Sequence, residues 1–474
     1  MLTRARSHLV ALFVSLLGVG IAVISGFMAG TNPTLLGLGF AIVPIVTFFF
    51  VQFEVAVIGL LVLRSALDPF SGMQLPAAFA IGVSALTLLY VVVQLITRKP
   101  VITEKLWWIF ATWVALQSLW LVLMFLGGLG SDGSEIQTSL REWVRIFSWL
   151  MVYLLVLQLK DKVHPNQIVS KLFLALIFPS TIAFLQIFAP SLLPPIFIGG
   201  GGDEFGAIEA SVSRVNGTLG HPNTFATFLL LFIGLTLWKL GKAKQRLYWL
   251  CLLGLLAFFY VATKALFALA MLGVFLLVFI APKLSLPKLI GGALLFAIAI
   301  ALFGSTEFGQ QRLASLASTP LFNSNIDVSR AILLSASDGN SFNWRIAQWT
   351  FLLQAWEQHP ILGYGLATCK QLTVFNAYAH NDYVRALAEG GIVGFAIFIL
   401  LFIALFIYLL QIFRTAQPNS KQRNLCLVLL AMLSAIMVGM LTENIWSHTT
   451  LYFYLWTLIS LAGWEWDERR GGFT

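Results

Sequence analysis

Apolar runs of 17 residues or more recur along nearly the whole of this 474-residue chain. Inside a bilayer no water can satisfy a free backbone N–H or C=O, so continuous runs of that length form spanning helices; a barrel would show short alternating segments instead. A mean hydropathy of +0.89, with 59% hydrophobic and 10% charged residues, excludes a soluble globular domain. The fold class is therefore all-α, a polytopic integral membrane protein of about 12–14 transmembrane helices with one large outer loop. Spans fall near 9–29, 34–52, 54–66, 76–97, 106–127, 141–159, 168–189, 221–239, 246–262, 264–281, 287–304, 384–412, 424–442 and 447–464. The first run has no small-residue cleavage site and reads as a span and not a removed signal peptide. The stretches 34–52 and 54–66 are short enough to form one kinked unit.

Charge orients the stack. With Arg4 and Arg6 inside, the basic loops alternate: Arg98, Lys99 and Lys105; Lys160, Lys162 and Lys171; Lys239, Lys242, Lys244 and Arg246; Lys283 and Lys288; Arg414, Lys421 and Arg423; Arg469 and Arg470. These are 19 of the 29 basic residues, held in little loop length, so both termini are expected in the cytoplasm. The net charge of +9 is then loop asymmetry and calls for no nucleic acid. Three domains are expected: helices 1–304 with an outer loop at 190–220, a large outer loop at 305–379, and helices 380–474. The three cysteines form no disulfide framework, and no internal repeat is visible.

The polar island 305–379 is the main departure from lipid-like sequence, and candidate chemistry gathers at its edges. His380 precedes Asn381 and Asp382, which cap the following helix. The positive end of a helix disfavours imidazolium, and a neutral imidazole can take a proton from a hydroxyl nucleophile; an interfacial His without chemistry fits the same spacing. In the earlier outer loop Arg214 lies seven residues before His221-Pro222-Asn223, where Pro222 suits the first turn of a helix. Arg214 can hold a phosphate or pyrophosphate by paired charge-assisted bonds, or snorkel to headgroups.

Lys264 falls at an outer turn between two short spans, where an ammonium is costly unless paired or functional. Arg141 and Arg145 share one helix face, either lining a basic cleft or meeting headgroups and pairing with Glu142 or Glu135. Residues 343–360 form an amphipathic helix with Ile346, Trp349, Leu353 and Trp356 in a stripe and Arg345 one turn before Trp349. That helix covers the membrane face or a cleft, and its rings can also stack on sugars. The turn at 361–369 carries glycines but no phosphate-loop lysine. His164 lies in a basic inner loop, while Glu443 and His448 sit at the outer ends of the last two spans. No His/Cys/Asp/Glu cluster has metal-ligand spacing, so neither metal nor cofactor is expected.

Three segments, in order, resemble the O-antigen ligase and O-antigen polymerase family of bacterial envelope membrane proteins. SRVNGTLGHPNTFATFLLL (213–231) looks like its arginine followed by Gly-x-Pro-Asn entering a helix. NWRIAQWTFLLQAWEQHPILGYG (343–365) is similar to its Arg-x-x-x-Trp helix with Pro and a Gly-x-Gly turn, and AHNDYVRALAEGGIVG (379–394) to its His-Asn stretch followed by Glu-Gly-Gly. The resemblance implies a metal-independent glycosyltransferase at the outer face of the bacterial cytoplasmic membrane. It would move an oligo- or polysaccharide from undecaprenyl pyrophosphate to a hydroxyl of a lipid, glycan or protein acceptor. It implies His380 as the base, Arg214 on the pyrophosphate and Arg345 supporting the outer loop or the cleft. Lys264, Arg145, Arg141, His221, Asn223 and Asn381 complete the expected binding set. Where the family has Thr-x-Ser-Arg, this chain has Ala262-Thr263-Lys264, which keeps the charge but loses the bidentate fork. A small-anion, bicarbonate-like transporter using Arg214, Lys264 and Arg145 is the competing reading, but it predicts charges near the bilayer midplane and paired broken helices.

Overall fold

The computed structural model describes residues 33–131, 133–198, 214–241, 245–305 and 341–466, together with positions 310, 330 and 334. The span expected at 9–29, the four-glycine run at 199–202 and most of 305–341 lie outside the described residues. The chain divides into two units, residues 1–59 and 60–474. The first contains α1 (Pro33–Val51), interrupted in composition by Pro44, and most of α2 (Phe53–Leu63). These two helices are bent by 118° at their junction, so the two short apolar stretches form one broken pair.

The second unit runs through α3 (Leu75–Ile96), α4 (Lys105–Phe125), α5 (Ile136–Leu157), α6 (Pro165–Leu172), α7 (Ile177–Phe188), α8 (Pro222–Leu240), α9 (Arg246–Ala262) and α10 (Leu266–Ile280). It continues with α11 (Leu286–Ser305), α12 (Ser341–Gln358), α13 (Asp382–Thr415), α14 (Lys421–Gly439) and α15 (Thr449–Ala462). Among the described residues six helical segments are long and apolar enough to cross a membrane, or seven if the bent pair is one span: α3, α4, α6 with α7, α8, α13 and α14. Helices α9, α10 and α15 are apolar but shorter, at 17, 15 and 14 residues. The protein is a polytopic, all-helical membrane protein.

Position in the bundle follows apolar character. Helices α8, α14 and α15 are apolar all round and lie in the centre, buried along most of their length. Their aromatic side chains fill the core: Phe110 of α4 stacks on Trp456 at 3.8 Å, and Trp149 of α5 on Tyr452 at 4.6 Å. Helices α3, α4 and α13 keep one exposed apolar face, with Leu88, Ile109 and Leu400 among the side chains left for lipid.

Helix α13 is broken where the sequence reads Glu389-Gly390-Gly391. Gly391 adopts φ +62°, and a Cβ there would stand 2.2 Å from the carbonyl oxygen of Ile361. A break in a membrane helix frees backbone groups that need partners. The Pro360–Gly365 turn supplies them: the amides of Tyr364 and Gly365 donate to the carbonyls of Ala388 and Glu389 at 3.2 and 2.8 Å. In return the Ile392 and Val393 amides donate to the carbonyls of Pro360 and Ile361 at 2.9 and 3.2 Å. Gly363, at φ +68°, permits that approach, since a Cβ would sit 2.5 Å from the Ala388 carbonyl oxygen. The glycine turn after α12 is thus a splice for the broken helix, and it anchors α12 beside the first two turns of α13.

Candidate functional site

His380 stands immediately before α13 in the left-handed region, at φ +49°. Holding a non-glycine residue there costs on the order of 1–3 kcal/mol and requires outside support. That support comes from the 440–448 connection between α14 and α15. The His380 amide donates to Asn444 Oδ1 at 2.7 Å, and the Asp382 amide donates to the Met440 carbonyl at 2.9 Å. The Trp446 amide in turn donates to Asp382 Oδ2 at 2.8 Å. From the other side, Trp349 of α12 donates its indole N–H to the Ala379 carbonyl at 2.6 Å, and Trp344 lies edge-on to the imidazole at 5.4 Å. Asn381 caps α13 through its side-chain oxygen, which accepts from Tyr383 and Val384.

Among the described residues the imidazole has one hydrogen-bond partner. His380 Nδ1 lies 3.1 Å from Glu443 Oε1, a contact that fixes the ring plane and leaves Nε2 without a hydrogen bond among the described residues. The His380 side chain is 25% exposed and that of Glu443 only 4%, so a substrate reaches the first and not the second. Glu443 is held on every side: its Oε2 accepts from Asn223 Nδ2 and lies 4.0 Å from Arg345 Nη2, while Oε1 also accepts the Asn444 amide at 3.0 Å. Burial works against its charge, but the neighbouring His380 and Arg345 hold the carboxyl well below the usual carboxylate range.

Asn223 carries the network to the earlier loop. It is in the first turn of α8, capped by His221, whose Nδ1 accepts the Asn223 amide at 3.1 Å. Arg214 Nη2 donates to Asn223 Oδ1 at 2.7 Å and Arg214 Nε to the Thr263 carbonyl at 3.0 Å. The next residue, Lys264, is exposed and left-handed at φ +52° in the turn between α9 and α10. His380, Arg345, Asn223, Arg214 and His221 are therefore linked through Glu443, with Lys264 beside Arg214. The N-termini of α8 and α13, which favour anions, meet at the same place.

Two expected residues stand apart. Arg141 is exposed at the start of α5. Arg145 turns into the protein, donating to the Trp446 carbonyl at 2.8 Å, pairing with Glu142 and lying over the Trp149 ring at 5.1 Å. Glu142 also pairs with Arg385 at 3.0 Å, and Arg385 with Glu389 at 2.9 Å. This second network lies next to the first through Trp446 and Asp382.

Glu443 and Arg385 were the residues not picked out as site members from sequence. Glu443 had one available signal: a lone carboxylate in the short connection between two apolar segments, on the same face as His380. Among the described residues no three His, Cys, Asp or Glu side chains converge as metal ligands.

Residues 247–399 match the family model described as O-antigen ligase. The matched region contains His380, Arg345 and Lys264, while Arg214 and Glu443 lie on either side of it. Comparison of the chain with curated proteins finds no match.

Proposed function

From the match of residues 247–399 to the O-antigen ligase family model, we propose that this chain transfers a glycan from a lipid-pyrophosphate carrier to an acceptor hydroxyl. The donor is an undecaprenyl-pyrophosphate-linked oligo- or polysaccharide, and the reaction takes place at the outer face of the bacterial inner membrane. The observation that carries the reading is the His380–Glu443 pair, with Nδ1 committed to a buried carboxylate and Nε2 unbonded on an accessible ring.

Glu443 selects the tautomer by accepting the Nδ1 proton, and so presents Nε2 as a proton acceptor. The acceptor oxygen attacks the anomeric carbon as its proton passes to Nε2. The bond from that carbon to the pyrophosphate oxygen breaks, and the electron pair leaves with the lipid pyrophosphate. The negative charge that develops is met by cations and helix N-termini: Arg214, Arg345 and Lys264, with the first turns of α8 and α13. One base and one displacement invert the anomeric centre, and a retained configuration in the product would exclude this mechanism. His380 is the catalytic residue. Glu443 and Asn223 are positioning residues, one for the base and one for Glu443.

The test uses a strain lacking this protein, complemented with wild type, His380→Ala or Arg214→Ala at matched membrane levels. Carrier-linked glycan is expected to accumulate with both variants and to clear with wild type. Long accumulated chains identify a ligase, and single unpolymerised repeats a polymerase. Identical glycan profiles in all strains would overturn the transferase reading in favour of anion transport.

A further inference from the structure

Two residues past His380, Asp382 faces a cavity that the transfer chemistry does not use. The cavity, of about 50 Å³, lies among α4, α5, the first turns of α13 and the 440–448 connection. Its lining includes Gln117, Glu142, Asp382, Arg385, Glu389 and Trp446. Asp382 is 2% exposed; Oδ2 accepts the Trp446 amide, while Oδ1 is buried and has no hydrogen-bond partner among the described residues. Gln117, within membrane helix α4, is 6% exposed, and its amide makes no hydrogen bond to any described residue. An unsatisfied carboxylate oxygen and an unsatisfied amide thus line one chamber in the interior, where each is costly if left bare.

Charge gives the class of ligand. Asp382, Glu142 and Glu389 contribute three negative charges, and Arg385 and Arg145 contribute two positive ones. The remaining neighbours do not close the difference. Glu443, from the connection, is committed to His380 and Arg345, and α15 presents only the Tyr452 hydroxyl, which adds no cation. Lys370 lies over the Tyr378 ring at 4.1 Å, partly exposed and outside the cavity lining. One negative charge is left, and the carboxylates do not converge as a multivalent ion requires. A volume of 50 Å³ admits about three or four waters, or a small ion with part of its hydration shell.

We propose that this cavity binds one exchangeable monovalent cation, a proton or a sodium-class ion, on Asp382, with water filling the remainder. Because Asp382 also holds the Trp446 amide and donates to Met440, occupancy sets how firmly the 380–382 segment is strapped to the 440–446 connection. The site is thereby linked to the orientation of His380, although the binding itself does not depend on the transfer reading.

The experiment is thermal unfolding of the full chain in detergent, with sodium chloride exchanged for choline chloride at constant ionic strength, and separately across about pH 5.5–8.5. Wild type, Asp382→Asn and Gln117→Leu are compared. A sodium site gives a saturable, sodium-specific rise in Tm that Asp382→Asn abolishes and Gln117→Leu weakens. A proton site gives no sodium effect; wild-type stability instead falls as pH rises, and Asp382→Asn, which mimics the protonated acid, flattens that slope. Equal sodium and pH responses in wild type and Asp382→Asn overturn the proposal. If Asp382→Asn does not accumulate, Gln117→Leu decides: an unaltered pH profile, with no sodium effect in wild type, overturns it as well.

Discussion

At His380 the proposed chemistry depends on a single contact. A general base is worth about 10²–10⁴-fold, so His380→Ala is expected to lower transfer by that order in a membrane assay with carrier-linked glycan. Glu443→Gln keeps the shape but no longer selects the tautomer; activity should fall by at least about tenfold and toward the full loss of the base. Partial rescue by Glu443→Asp would separate positioning from mere structural support. Glu443 also sets a pH signature. Its folded carboxyl titrates below the unfolded value of about 4.5, so its stabilisation is complete above that value and is lost as pH falls toward the folded one. The Tm difference between wild type and Glu443→Gln should hold constant above about pH 5.5 and narrow below about pH 4.5. His380 and its cap were legible from sequence because a His-Asn-Asp run before an apolar stretch is a local signal. Glu443 is 63 positions away, and nothing local marks which histidine it meets.

Most helix bounds were legible to within a few residues, but the number of spans was not. About 12–14 were expected, and among the described residues six helical segments, or seven with the bent pair, are long and apolar enough to cross, because α9, α10 and α15 stop short at 17, 15 and 14 residues. The amphipathic pattern expected over 343–360 became α12 (Ser341–Gln358), and the apolar run expected over 221–239 became α8 (Pro222–Leu240). Periodicity and caps act over one or two turns, so they survive in a single sequence. The break in α13 was different. The glycine pair was visible, but its partner, the Pro360–Gly365 turn, supplies the missing backbone bonds only in three dimensions. Gly391→Ala would place a Cβ against the Ile361 carbonyl and force alanine into a backbone region, φ +62° and ψ −166°, that essentially only glycine adopts. The expected loss is roughly 1–3 kcal/mol from overpacking plus about 1–3 kcal/mol from backbone strain, read as a lower Tm and reduced membrane yield. Gly254, with open space around it, is the control position, and its alanine variant should keep wild-type Tm within experimental scatter.

Across the molecule, two buried ionic networks tie α5, α8, α12, α13 and the 440–448 connection into one polar layer inside an apolar bundle. Arg385 is central to the second, joining Glu142 and Glu389 while only 2% exposed. Removing it by Arg385→Ala leaves the buried Glu389 without its cation and Glu142 with Arg145 alone, and a loss of about 3–5 kcal/mol is expected, visible as failure to accumulate or a large drop in Tm. The charge pattern of the loops makes a further claim about the whole chain. Single cysteines at Lys264 and at Thr442, both exposed, should react with an impermeant thiol reagent from the outer side, and one at Lys421 only after the membrane is opened. Labelling of Lys421 without permeabilisation would invert the orientation.

Lipid solvation explains why so much was readable from residues in order. A bilayer demands long apolar helices with paired backbones, so composition in windows of about 20 residues already specifies element type and order. The same constraint says nothing about which polar side chains inside the bundle meet. The pairing of His380 with Glu443, and of Arg385 with Glu142 across 243 positions, arises from helix packing that brings distant segments within hydrogen-bond range. Packing also turned Arg145 inward onto Glu142 and Trp446 while leaving Arg141 exposed, though both lie on one helix face in sequence. Spacing along the chain carries the local geometry; only the folded bundle fixes distances between helices, and buried charge is settled by those distances.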